Sequence, residues 1–400
     1  MWTNRFYIRV SIEIIFLIFL SLPFFFFNSC QKEIKPKCKD CLILYASLDE
    51  KIISLDSIFD KIELIPLETI DNSLIRYFEK YDFFEGKHYI LDNTQSILFI
   101  FDEKGNYISR IARIGQGPGE YRLIYDFSLN RQKGQIEMLS PHKFIYCYNL
   151  YGSHYYIKTY DLTSISPSSI QRMQILDDNN YIIWSPPMDG HNGINIISQE
   201  TGKLKKSFWQ DLFFINKWAS DVFYTYNNEV FFSLNLYNTV YKVTEEGVEA
   251  AYEWNFGKET VDISRHKIST GMYNYNKDVE VLEDKLGSSI ILYECMRNYQ
   301  NNKYYYVQLR FKREYDKHLF YNKKTGESCF FENSVENYRF DPILYFADEY
   351  MIGILNYDDK DKLINCSLLD DENKQKLLSF KEDDNSYLIK YYFKENKETK

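Results

Sequence analysis

The chain has 400 residues, of which 18% are aromatic, and alanine is scarce. Such side chains fit a pleated, half-buried surface, so the bias favours sheet over helix. Its 48 basic and 57 acidic residues give a formal charge of −9, which provides no basic field for a phosphate backbone and excludes nucleic acid as an expected partner.

The N-terminus reads as a targeting device. Arg5 and Arg9 form a positive n-region, and residues 14–27 are an apolar run broken only by Ser21 and Pro23. That run is shorter than the roughly 20 residues needed to cross a bilayer, which points to a signal h-region. It ends in Phe27-Asn28-Ser29-Cys30. A small residue before a cysteine at this point resembles the bacterial lipoprotein signal, although Phe27 and Asn28 depart from that family's preferences. The resemblance implies that residues 1–29 are removed and that Cys30 carries the lipid anchor. No aspartate follows Cys30, and Gln31-Lys32-Glu33 resembles the start of the export signal of Bacteroidetes surface lipoproteins, without most of its acidic run. The expected address is the outer membrane, lipid-anchored and facing the periplasm or the cell surface. Residues 30–58 read as a polar tether. Within them, Cys38-Lys39-Asp40-Cys41 lacks the histidine of haem attachment and a second pair for zinc, so a local disulfide or two idle thiols is expected. Cys147, Cys295, Cys329 and Cys366 lie in or beside apolar runs and read as small core residues.

From residue 59 the chain is organised by repetition. Gly105, Gly152, Gly202, Gly247 and Gly326 each sit in a short turn between two β-rich runs, at spacings of 47, 50, 45 and 79 residues. A period of about 40–50 residues with one hairpin per unit predicts propeller blades. The long interval reads as one period plus an insertion over residues 257–287, with a helix expected near 278–286. In the first unit the inner strand falls within residues 76–84, the second over 88–91, the third over 97–101 and the outer over 107–113. Asn179-Asn180, Asn227-Asn228 and Asn301-Asn302 mark turns between first and second strands, because asparagine tolerates the left-handed conformation. The sixth unit has no glycine turn on schedule and lacks a strand. Residues 61–67 can supply it by pairing with residues 387–393. The predicted fold is therefore all-β: a six-bladed propeller of four-stranded antiparallel blades over residues 59–396, closed by an N-terminal strand, with a small, partly helical insertion.

Asp102-x-x-Gly105-x-Tyr107, Arg110-Ile111 and Gly115-Gln116-Gly117-Pro118-Gly119-Glu120-Tyr121 resemble the six-bladed β-propeller lipoproteins of Bacteroidetes, an NHL-repeat-like family. The similarity extends to Ile65-Pro66-Leu67-Glu68 and to the closing residues 383–393. It implies the fold and the envelope address and carries no general biochemical activity.

Chemical motifs are sparse. The glycine-rich 115–119 segment is not a phosphate loop, because Pro118 removes an amide and no Lys-Ser or Lys-Thr follows. It reads as a blade-to-blade crossover. The six histidines show no metal-ligand spacing, and no nucleophile elbow is present. Neither a metal nor a cofactor is expected, and no catalytic residue is assigned. Strand counting puts Asp92, Asn93, Gly115, Gly117, Gly119, Tyr121, His142, Asp189 and His191 on one face of the disc, which is the expected binding surface. The favoured function is a non-enzymatic binding module for a protein, peptide or glycan. The alternatives are a propeller hydrolase or lactonase with channel-bound Ca²⁺, for which Asp177, Asp221 and Glu294 are the candidates, and a structural accessory of an outer-membrane complex that uses the insertion.

Overall fold

The computed structural model describes residues 38, 40–166, 168–186, 191–209, 222–234, 237–260, 293–311, 315–335, 338–340 and 343–395. Two strands precede the repeats, β1 (Leu42–Tyr45) and β2 (Phe59–Ile65). Blade 1 is β3 (Lys80–Phe84), β4 (Lys87–Asp92), β5 (Ile97–Asp102) and β6 (Tyr107–Ile111). Blade 2 is β7 (Asp126–Asn130), β8 (Gln135–Ser140), β9 (Phe144–Asn149) and β10 (Tyr156–Asp161). Blade 3 is β11 (Arg172–Asp177), β12 (Asn180–Trp184), β13 (Ile194–Ser198) and β14 (Leu204–Phe208). Blade 4 is β15 (Phe223–Tyr226), β16 (Glu229–Phe232), β17 (Thr239–Val243) and β18 (Val248–Asn255). Blade 5 is β19 (Tyr293–Gln300), β20 (Tyr304–Phe311), β21 (Tyr315–Asn322) and β22 (Ser328–Phe331). Blade 6 is β23 (Tyr345–Phe346), β24 (Tyr350–Leu355) and β25 (Tyr387–Phe393), completed by β2. The six-bladed architecture is as the glycine period predicts.

Each blade buries both faces against its neighbours, and this sets the composition of its strands. The buried clusters pair blade 1 with blade 2 (Leu91, Tyr121, Phe127), blade 2 with blade 3 (Ile145, Tyr181) and blade 3 with blade 4 (Trp184, Phe232). A larger one, rich in aromatics, joins blades 4, 5 and 6. Middle strands are therefore almost continuously apolar, as in Ile97–Asp102, where five of six residues are buried. Outer strands alternate instead, with Ile108 and Arg110 exposed in β6. The hairpin glycines fit their positions. Gly105 has φ +88°, and a Cβ there would lie 2.0 Å from the Pro66 carbonyl oxygen, so both conformation and space exclude a side chain.

Ring closure takes the predicted form. β2 pairs antiparallel with β25, from Phe59 opposite Phe393 to Ile65 opposite Leu388. The charged segment between β24 and β25 folds into α1 (Lys360–Leu363) and α2 (Asp371–Ser379), the latter capped by Asp370, which accepts the Asn373 N–H at 2.9 Å. This segment covers the free edge of β2. Ile62 N–H donates to Leu368 O at 3.1 Å, Leu64 N–H donates to Asn373 Oδ1 at 2.7 Å, and Lys376 Nζ donates to Leu64 O at 3.1 Å. Backbone groups that would template aggregation are thus spent internally.

The tether reading needs correction from Leu42 onward. β1 adds to blade 4 as a fifth strand, parallel to β18, and the chain then bridges Glu50 to Phe330 and Ile53 to Ser334 along the rim of blade 5. Leu44, Ile53, Leu55 and Ile58 are buried there. Their apolar contribution is diluted among polar neighbours, which is why composition suggests a tether. Cys38 and Cys41 form a disulfide, and Cys38 N–H donates to Glu253 Oε2 at 3.0 Å. Cys147, Cys295 and Cys366 are buried and Cys329 half-buried. The insertion at 257–287, with its expected helix, lies almost wholly outside the described residues. Asn227 and Asn228 adopt φ +50° and +61°, as a tight turn requires, whereas Asn301 works through its side chain, accepting the N–H groups of Lys303 and Tyr304.

Candidate binding channel

Strand alternation puts the second-to-third-strand loops and the crossovers at one end of the ring, and the first-to-second-strand turns at the other. The predicted residues belong to the first set, but their polar groups are largely consumed by the fold. Asp92 is fully buried and accepts from Arg76 N, Tyr77 N, Thr94 Oγ1, Gln95 N and Gln95 Nε2. Burial alone would raise its pKa, but these hydrogen bonds outweigh it and hold the carboxyl below the usual range. Asn93 donates to Glu79 Oε2 at 2.9 Å.

The crossover is equally self-contained. Gly117 N–H donates to Glu120 Oε2 at 2.8 Å, and a Cβ on Gly115 would collide with that carboxylate. Gly119 has φ +72°, its carbonyl accepts from Tyr148 OH at 2.7 Å, and a Cβ would lie 2.4 Å from the Tyr156 ring. Tyr121 OH donates to Ile111 O at 3.1 Å and accepts from Arg113 N at 3.2 Å. His142 and His191 are exposed, and Asp189 lies outside the described residues. The structure places Asp92, Asn93 and the crossover in the scaffold, and among the described residues none of the hydrogen bonds given above goes to a histidine.

The concave site lies instead along the innermost strands, a channel cavity of about 570 Å³. None of the nine predicted residues lines it. The third residue of the first strand is polar in four successive blades: Asp82, Ser128, Gln174 and Thr225. The second residue is large and apolar in each: Tyr81, Phe127, Met173 and Tyr224. Period-two alternation turns the two sets to opposite faces of the inner strand, and Tyr81, Phe127 and Tyr224 line the cavity together with all four polar residues. Gln174 Nε2 donates to Thr225 Oγ1 at 3.2 Å, so the polar residues of blades 3 and 4 meet at one level.

Blades 5 and 6 add Tyr299, Tyr345 and Phe346 to the lining. Phe346 stacks on Tyr299 with centroids 5.9 Å apart, and Tyr345 meets Tyr81 edge-on at 5.6 Å. Burial, and next the nearby Asp82 charge, push the Tyr345 phenol up. The cavity thus sets aromatic rings beside polar side chains, a combination no single blade encodes.

Charge in the channel is largely compensated, with Asp178 exposed among the lining residues. Lys80 Nζ lies 2.6 Å from Asp126 Oδ1, and Arg131 donates to Asp82 Oδ1 at 3.1 Å. Arg172 pairs with Glu79, with both side chains largely buried. Asp126 also accepts Met173 N–H at 2.7 Å, tying blade 1, blade 2 and blade 3 together. Behind the wall, Asn130 donates to Glu137 Oε1 at 3.1 Å and to Gln199 Oε1 at 2.9 Å, and Tyr181 OH donates to Glu137 Oε1 at 2.6 Å. Burial pushes Glu137 up to about 7 despite these bonds.

Of the Ca²⁺ candidates, Asp177 lines the cavity but its oxygens accept from Asn179 N and Asn180 Nδ2 within its own turn. Asp221 and the Glu294 side chain lie outside the described residues. Among the described residues no cluster of three or more His, Cys, Asp or Glu has a metal-binding arrangement. No helix among them is long and apolar enough to cross a membrane. The sequence signal for the channel was present in the polar third residues, but it is recognisable only once the strand starts are aligned.

Two solved structures resemble the chain. One is a protein from Bacteroides fragilis NCTC 9343 described as exported, at 19% identity and TM-score 0.68, covering 88% of this chain and 100% of that one. The other is a DUF4221 family member from Bacteroides vulgatus ATCC 8482, at 12% identity and TM-score 0.51, covering 84% and 99%. At these identities the likeness is one of fold. No curated protein matches the sequence. Residues 45–392 match the family described as Domain of unknown function (DUF4934), a span that runs from the rim strand of blade 4 to the closing strand of blade 6. The chain belongs to the DUF4934 family.

Proposed function

We propose that this protein is a lipid-anchored binding module of the outer membrane, without catalytic activity, and that its ligand seats in the central channel. The observation that carries the reading is the cavity of about 570 Å³, lined by both polar and aromatic groups, whose size lies within the range of small-molecule sites. A rigid ring of inner strands presents its polar and aromatic groups without needing to be ordered by the ligand, which lowers the cost of binding. The signal-like N-terminus ending in Ser29-Cys30 supports the anchor, and stable anchoring follows when a cysteine carries several acyl chains. The crossover end, where sequence reasoning put the binding surface, offers mainly groups already hydrogen-bonded within the fold.

The test is a thermal-shift and calorimetric screen of small molecules and peptides from the cell envelope and growth medium. Thr225→Trp, at an exposed inner-strand position, should plug the channel and abolish every hit, while His142→Ala and His191→Ala should retain them. Hits that survive the plug would overturn the channel assignment. For the anchor, Cys30→Ala should release the protein into the soluble fraction, and unchanged membrane partition would sink it.

A further inference from the structure

We infer that the ligand of the channel is a short neutral saccharide. This inference rests on the channel being the binding site and adds the ligand's chemical class. Three observations converge on it. First, the cavity lining is mixed: half-buried Tyr345 and Phe346 share it with Asp82, Gln174 and Thr225. A pyranose ring has the same mixture, with C–H groups on its faces and hydroxyls around its edge. The C–H face packs on the electron-rich face of an aromatic ring, while hydroxyls, which both donate and accept, match amide, hydroxyl and carboxylate side chains.

Second, the charges select against ions. Both basic residues that line the cavity, Lys80 and Arg131, are ion-paired, with Asp126 and Asp82 respectively. An anionic ligand would have to displace a carboxylate from one of these pairs. A cationic ligand meets Asp177, whose oxygens are already engaged with Asn179 and Asn180, and Asp178, which is exposed so that solvent screens its attraction. A neutral ligand avoids both costs.

Third, Asp82 and Arg131 are joined by a single contact, Arg131 Nη2 to Asp82 Oδ1 at 3.1 Å, which leaves an acceptor and donors side by side for vicinal hydroxyls. Arg131 remains about half exposed while paired, so its remaining N–H groups and the carboxylate can serve adjacent hydroxyls of one ring without breaking the pair. The volume of about 570 Å³ suits a short oligosaccharide and is too small for a folded partner.

The test is calorimetric titration of the intact protein with neutral glucan, galactan, mannan and xylan fragments. Sulfated and uronic-acid saccharides, quaternary ammonium compounds and unstructured peptides are run in parallel. At least one neutral fragment should bind. Its affinity should fall about tenfold, equivalent to ~1.4 kcal/mol, in Tyr345→Ala and in Gln174→Ala, and recover in Tyr345→Phe. Absence of binding by every neutral fragment would overturn the inference. So would a charged saccharide, an ammonium compound or a peptide that binds in their place; sensitivity of that ligand to Tyr345→Ala and Gln174→Ala would leave the channel reading standing. Neutral saccharide binding that both substitutions leave unchanged would overturn the channel reading as well.

Discussion

The crossover end and the channel wall use the same residue types for opposite purposes. At the crossover end, Asp92 gathers five hydrogen bonds from residues no more than sixteen positions away in sequence. On the channel wall, Asp82 of blade 1 pairs with Arg131 at the end of the first strand of blade 2, and Gln174 of blade 3 with Thr225 of blade 4. Local partners close a turn and leave little capacity over. Partners recruited across blades hold polar groups around an open space. A polar loop residue is therefore weak evidence of a binding face until its hydrogen bonds have been accounted for.

The sharpest way to break this contrast is Asp92→Ala. If the carboxylate is structural, its loss leaves the Arg76, Tyr77 and Gln95 N–H groups without their acceptor and costs about 4 kcal/mol of stability. Chemical denaturation measures this, and an unchanged midpoint with lost ligand binding would return Asp92 to the binding site. Glu137 probes the support behind the channel wall. Its folded pKa of about 7 lies above the ordinary glutamate value of 4.5, so its contribution is fully present below pH 4.5 and is lost as pH rises through 7. Stability of the native protein should fall by roughly 3 kcal/mol across that window from this group alone. Glu137→Gln, which keeps an acceptor for Tyr181 and Asn130, should flatten the slope, and denaturation curves at about pH 5 and pH 8 read it directly.

Gly119→Ala should cost about 2 kcal/mol, from a left-handed residue given a Cβ that meets the Tyr156 ring. A thermal melt that matches the native protein would mean the crossover is looser than its geometry. His142→Ala and His191→Ala define the small end. As exposed residues they should shift stability by no more than about 0.5 kcal/mol and leave channel binding intact. Loss of binding from either would restore the crossover end as the recognition face.

How much was legible beforehand depends on the range of the interaction. The hairpin glycines, the Asn227-Asn228 turn and the missing strand of blade 6 are local or periodic signals, and the structure follows them. The rim path of residues 42–58 was not legible, because Leu44, Ile53, Leu55 and Ile58 have no repeating spacing and find their partners in blades 4, 5 and 6. Tyr345 and Phe346 sit in a two-residue strand, too short to announce a periodicity.

By itself, the sequence determined the blade count, the closing strand and the signal-like N-terminus, since each depends on backbone conformation or hydrophobic patterning within a few dozen residues. Only the tertiary structure decided where polar groups remain unspent and which polar and aromatic side chains share the channel. Those properties arise where six inner strands, separated by up to about 260 positions in sequence, converge on one axis. Each side chain's role there is set by what the other blades place opposite it.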